Sequence, residues 1–246
     1  MKKKRLLIVI GVPVSVLVGF FIYWFVYSNP TSFPNHEQLS KEMNLIFPEA
    51  KVEVIQDTIQ LDEKHVFVPF ISAENQNGVS YWVWQNRKWN VGSISTTGEP
   101  HIWKIDENDP STFHFVWNLQ NEDQVHHIKF FLIRDRSFYV TDGVEDYSPR
   151  IQLDNNVALN NKSYGVSQLS KEWVSVIDSH EEFLLSKQPD MFFNSFFSNS
   201  SMHFGWVPYN EKNEVSFGNG SYNSSGYTNI DVNTEFVMFL DKMEIE

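Results

Sequence analysis

The chain has 246 residues, no cysteine, and 31 acidic against 19 basic side chains, for a formal charge of −12. The missing cysteine excludes a disulfide scaffold, a thiolate metal site, a cysteine nucleophile and a thioether-linked lipid anchor. Four of the basic residues are Lys2, Lys3, Lys4 and Arg5, so the rest of the chain holds 15 basic against 31 acidic residues, a balance of −16 that repels phosphate backbones and argues against a nucleic-acid partner.

Residues 1–5 read as a cytoplasmic stub, and residues 6–27 as a transmembrane anchor without a charged side chain. At about 1.5 Å per residue, a helix of that length crosses a hydrocarbon core of about 30 Å. The basic cluster before the run and the absence of Lys and Arg from residues 28–38 put the N-terminus in the cytoplasm and the body outside. Tyr23, Trp24 and Tyr27 gather at the outer end, where amphipathic rings favour the headgroup region. A cleaved secretory signal shares the basic start and apolar middle, but its apolar region is usually only about 7–15 residues. Either reading makes the body extracytoplasmic. A cysteine-free body of this size is expected in a bacterial cell envelope rather than in an animal ectodomain.

Residues 28–35 form a linker, and a helix follows. Asn35 and Gln38 have the spacing of a capping box, while Leu39, Met43, Ile46 and Phe47 make one apolar stripe up to Pro48. From residue 51 to 141 the apolar period changes to two. Strands are expected at 52–60, 65–71, 80–85, 89–93, 101–105, 112–118, 125–133 and 137–142, in an antiparallel meander. Turn residues punctuate them at Asn77-Gly78, Asn86-Arg87, Thr97-Gly98 and Asp142-Gly143. A two-residue loop at Asn86-Arg87 pairs Gln85 with Lys88, Trp84 with Trp89 and Trp82 with Val91. A loop at Asp135-Arg136 sets Ile133 opposite Phe138 and Leu132 opposite Tyr139.

An Asn-rich stretch, residues 154–163, marks the internal boundary, dividing a helix-plus-meander unit at 36–153 from a helix-plus-strand unit at 154–246 packed on the same sheet. Ser170 caps the second helix, whose face carries Leu169, Trp173, Val176, Ile177 and Leu184. A Phe-rich patch around Phe192 and Phe196, a Gly/Asn/Ser-rich loop at 218–226 and a last alternating strand at 232–240 complete the chain. The fold class is α+β: an N-terminal transmembrane helix, then a mainly antiparallel sheet domain with two packed helices.

No spacing of residues carries a recognisable chemistry. G-x-S-x-G, S-x-x-K and both Gly-rich nucleotide fingerprints are missing, so neither an enzyme nor a cofactor site is expected. His126-His127 is the only adjacent histidine pair, and strand neighbours point to opposite faces. His101 and His114 could approach across paired strands, but no zinc-type spacing supports them. The acidic clusters Asp106-Glu107-Asn108-Asp109 and Asp142, Glu145, Asp146 depart from an EF-hand loop and read as turns, so no metal is expected. The aromatic density of the meander offers one ligand surface: Trp84, Trp89 and Trp103, if exposed, would stack against sugar rings or a Pro-rich peptide. The expectation is a non-enzymatic binding or scaffold component of the envelope, with an envelope protein or peptide as partner. A glycan-binding or glycan-acting protein using the tryptophans is the alternative.

Overall fold

In the computed structural model the described residues are 29–120, 125–141, 143–187, 202–216, 224–230, 232–241 and 244–245, together with Leu17 and Gly19. The expected anchor at 6–27 lies, but for those two, outside the described residues, as does the Phe-rich patch. Among the described residues no helix is long and apolar enough to cross a membrane.

The body is α+β and mostly antiparallel. Helix α1 (His36–Ile46) begins at the expected capping box, in which the Asn35 side chain accepts from Gln38 N and the Gln38 side chain accepts from Asn35 N, both at 3.0 Å. Its stripe buries Leu39 and Met43 completely.

The strands do not form one meander; they are shared among separate sheets. The first sheet takes β1 (Val52–Ile55), β2 (Ile59–Gln60), β3 (His65–Ser72), β4 (Asn77–Gln85) and β5 (Lys88–Ser95), with β14 (Gly226–Thr228) on its edge. The second runs β12 (Tyr164–Gln168), β7 (Phe113–Asn118), β6 (His101–Lys104), β15 (Thr234–Phe236). The third runs β11 (Ile151–Ala158), β8 (His127–Arg134), β13 (Met202–Tyr209), β16 (Met238–Phe239), and β9 (Ser137–Thr141) with β10 (Val144–Ser148) forms a two-stranded ribbon. The second and third sheets each draw strands from both sides of the Asn-rich stretch, and β11 runs through its first five residues.

Burial on both faces explains this division. In β3, Val66, Val68 and Phe70 face α1 with Trp82, Trp84 and Trp89, whereas Phe67 faces Trp103 and Val116 of the second sheet. The second sheet turns Phe113, Phe115 and Trp117 towards Ile128, Phe130 and Leu132 of the third, and helix α2 (Lys171–Lys187) adds Trp173 and Ile177 to that core. Phe131, Ile133, Val207 and Leu240 cover the outer face of the third sheet. The molecule is therefore a stack: α1, then three sheets, each supplying apolar side chains in alternation to the layers above and below.

The Asn86-Arg87 hairpin has the expected register, Gln85↔Lys88, Trp84↔Trp89 and Trp82↔Val91. Both loop residues have positive φ, 55° and 63°, the conformation that matches strand twist in a two-residue loop. The expected Asp135-Arg136 hairpin does not form. Both edges of β8 are occupied, by β11 (Leu132↔Leu153) and β13 (Leu132↔Phe204), so β9 pairs with β10 instead, Phe138 opposite Tyr147. The last predicted strand is also split. Val237, fully buried, lies at the crossing from β15 in the second sheet to β16 in the third.

Candidate functional site

The expected tryptophan surface is not formed. Trp84, Trp89 and Trp103 are only 6 %, 9 % and 2 % exposed. Trp84 and Trp89 pack edge-to-face, centroids 5.5 Å apart, in the layer beneath α1. Trp103 is in the next layer, edge-on to Tyr81 at 5.1 Å and His65 at 5.5 Å. The rings satisfy the demand of a sheet with two covered faces for large apolar side chains, and none offers a ring face to a sugar. Trp89 does one thing more: its Nε1 donates to the carbonyl of Thr31 at 3.0 Å, and Phe33 stands edge-on to it at 4.9 Å, fixing the segment before α1 to the first sheet.

A cleft of about 380 Å³ opens instead where the ends of the three sheets meet. One wall is polar, from Gln76, Asn77, Thr96, Thr97, Glu99 and Gln120, and the other is apolar, from Val125, Trp206, Pro208, Phe236 and Phe239. A concave surface with an aromatic wall and a few fixed hydrogen-bonding groups has the general make-up of a ligand site.

Asn118, fully buried at the end of β7, holds the polar wall in place. Its Nδ2 lies 3.0 Å from Phe70 O, 2.8 Å from Gly78 O and 2.7 Å from Gln56 Oε1, and its Oδ1 accepts from Ser163 Oγ at 2.9 Å. Its backbone N–H donates to Gly98 O at 2.8 Å. A side chain at Gly98 would put a Cβ 1.9 Å from Asn118 O, so this close approach requires glycine. Next along the chain, Asn77 N donates to Gln120 Oε1 at 3.0 Å, Asn77 Nδ2 donates to Leu119 O, and Gln120 Nε2 donates to Asn75 O at 2.7 Å. These bonds pin the β3–β4 turn of the first sheet to the end of the second. The sequence singled out Gly98 as a turn residue, but nothing in it marks Asn118, because a buried amide and a surface amide look alike in one dimension.

The histidines do not converge. His101 donates from Nδ1 to Glu99 O at 2.8 Å, and its ring meets Phe236 at 5.6 Å beside the cleft. Burial pulls its pKa down, against the Glu99 carbonyl and carboxylate. His114 has Nδ1 2.8 Å from Thr112 O, and burial lowers its pKa too. The two are on paired strands, but His101 is opposite Val116 and His114 opposite Trp103. His65 Nδ1 lies 2.8 Å from Asp62; burial pushes the Asp62 carboxyl upward, and the bonds from His65 and Lys64 N outweigh it, so its pKa is lowered. His127 stacks on Tyr209 at 5.0 Å and meets His126 only edge-on. Among the described residues no three His, Asp or Glu side chains are grouped to hold a metal ion. Asp106 and Asp109 spend their carboxylates on local turns, accepting from Asn108 N and Ser111 N at 3.0 Å each.

Among the described residues of the cleft, amides, hydroxyls and aromatic rings are joined by one carboxylate, Glu99, at the rim. Such groups bind by hydrogen bonding and apolar contact. The chain matches no family model, no curated protein and no solved structure.

Proposed function

We propose that this is a membrane-anchored, extracytoplasmic binding or scaffold component of the cell envelope, and that the cleft holds a segment of another envelope protein or peptide. The observation that carries the reading is the lining of the cleft: an amide-rich wall fixed by the Asn118 network faces an aromatic wall built by β13, β15 and β16. The basic cluster and the apolar run at 6–27 support the placement. The balance of −16 over the rest of the chain, with Glu99 at the rim, favours a neutral or cationic segment over an acidic one.

Photo-crosslinking residues placed at Thr97 and Ser224 on the rim test this in cells, with exposed Leu45 on α1 as the control. The expected result is one envelope polypeptide captured from both rim positions and not from Leu45. Filling the cleft with Thr97→Trp, with a label at Ser224, should reduce that capture at least about tenfold, a loss of about 1.4 kcal/mol. Capture that is equal from all three positions, or unchanged by Thr97→Trp, removes the cleft from the reading. Purified protein that turned over envelope glycans or peptides would remove its non-enzymatic part.

A further inference from the structure

The β9–β10 ribbon is the one sheet among those described that joins no other strand. A free two-stranded ribbon is marginal in water, yet this one turns large apolar side chains outward. Phe138 is 57 %, Val140 58 % and Tyr147 64 % exposed. The register puts Phe138 opposite Tyr147 and Val140 opposite Glu145, so all four share one face. Arg136 is exposed and lies one residue before β9, where the alternation of that strand puts it on the same side at the base of the ribbon, while Glu145 lies towards its turn.

We propose that this face is a homodimer surface on which two copies of the ribbon pack antiparallel about a two-fold axis. The geometry is self-complementary. The Phe138–Tyr147 pair stands midway between Arg136, two positions nearer the base, and the Val140–Glu145 pair, two positions nearer the turn. A two-fold axis through that midpoint sets the aromatic pair of one copy on that of the other. In that arrangement each strand lies on its own counterpart, so each Arg136 comes over the neighbour's Val140 and reaches the Glu145 on the adjoining strand, about 5 Å to the side, giving two equivalent ion pairs as an isologous contact requires. Charge argues against the competing occupant, an anionic bilayer surface, because the turn end bears the acidic residues noted in the sequence. A face of so few side chains per copy is small against the roughly 1,200–2,000 Å² of a standard interface, which puts the association in the weak class, strengthened wherever copies are concentrated.

Sedimentation equilibrium of the full chain in mild detergent tests the pairing. The wild type should show a concentration-dependent monomer–dimer equilibrium. Arg136→Glu and Glu145→Lys should each weaken it about tenfold, since each turns two attractions into repulsions, and the double reversal should restore it. The chain carrying Phe138→Ser and Tyr147→Ser, with its circular dichroism unchanged, should be monomeric. A wild type that stays monomeric throughout overturns the proposal. So does a dimer indifferent to the charge reversals and the serine pair, which would place association in another part of the chain.

Discussion

Asn118 shows how much one side chain can carry when it is fully buried. Removing its amide by Asn118→Ala strips a donor from the carbonyls of Phe70 and Gly78 and leaves Ser163 Oγ without its acceptor. A buried group left without its partner costs about 1–3 kcal/mol, so Asn118→Ala should lower the unfolding free energy by about 2–3 kcal/mol in a denaturant titration. An unchanged midpoint would show that the network does not hold the sheets together. Buried imidazoles give a second test. His101, His114 and His180 all have pKa values lowered chiefly by burial, with Arg134 adding to the effect at His180. A histidine whose folded-state pKa is depressed binds its proton better when unfolded. Its contribution to stability is therefore intact above about pH 6.5 and is lost as the pH falls towards the folded-state value. Glu181 works the other way: burial, then Asp178, raises it to about 7, so it favours the fold as the pH falls from about 7 towards 4.5. Imidazole NMR resonances settle the point directly: the three histidines should titrate below about 6.5, and midpoints at or above that value would contradict the burial described. None of this is visible in the sequence, where these histidines and Asn118 have no distinguishing neighbours. The tryptophans were visible as aromatic density, but period-two alternation does not tell a sheet covered on both faces from one open to solvent.

Local elements were the most legible part of the chain. The capping box at Asn35, the stripe ending at Pro48, the Ser170 cap (Trp173 N to Ser170 Oγ, 3.3 Å) and the Trp84–Trp89 register follow from contacts within a few residues, which the sequence encodes directly. Long-range pairing was not legible. Nothing near Asp135-Arg136 announces that β8 will find β11 and β13, or that residues 232–240 will change sheets at Val237. Two substitutions in α1 separate local from tertiary stability. Asn35→Ala removes one capping bond and leaves Asn35 N still facing Gln38, and should cost about 1 kcal/mol. Leu39→Ala empties a fully buried site between the helix and the first sheet, and should cost about 2–5 kcal/mol. Equal effects in thermal denaturation would mean that α1 is held by its cap rather than by its packing.

At the scale of the whole molecule, the stack keeps its hydrophobic content in continuous layers and leaves the sheet ends free to form the cleft. The α+β class and antiparallel character were readable from period and turn chemistry; the three-layer arrangement was not, because it depends on which strands share a sheet. The proposed placement of the body outside the cytoplasm predicts that the full-length chain sediments with membranes and that protease added to intact cells stripped of their wall cleaves residues beyond 29. Full protection under those conditions would refute the topology. One contact then acquires a wider meaning. Trp89 and Phe33 grip residues 31–33 on the first sheet, within the linker expected at 28–35. If residues 6–27 are held in a bilayer as proposed, Tyr27 and the first gripped residue, Thr31, are separated by about four positions, a reach of no more than about 14 Å. On that proposal the body stands close against the lipid, and its cleft keeps within a narrow range of heights above the surface.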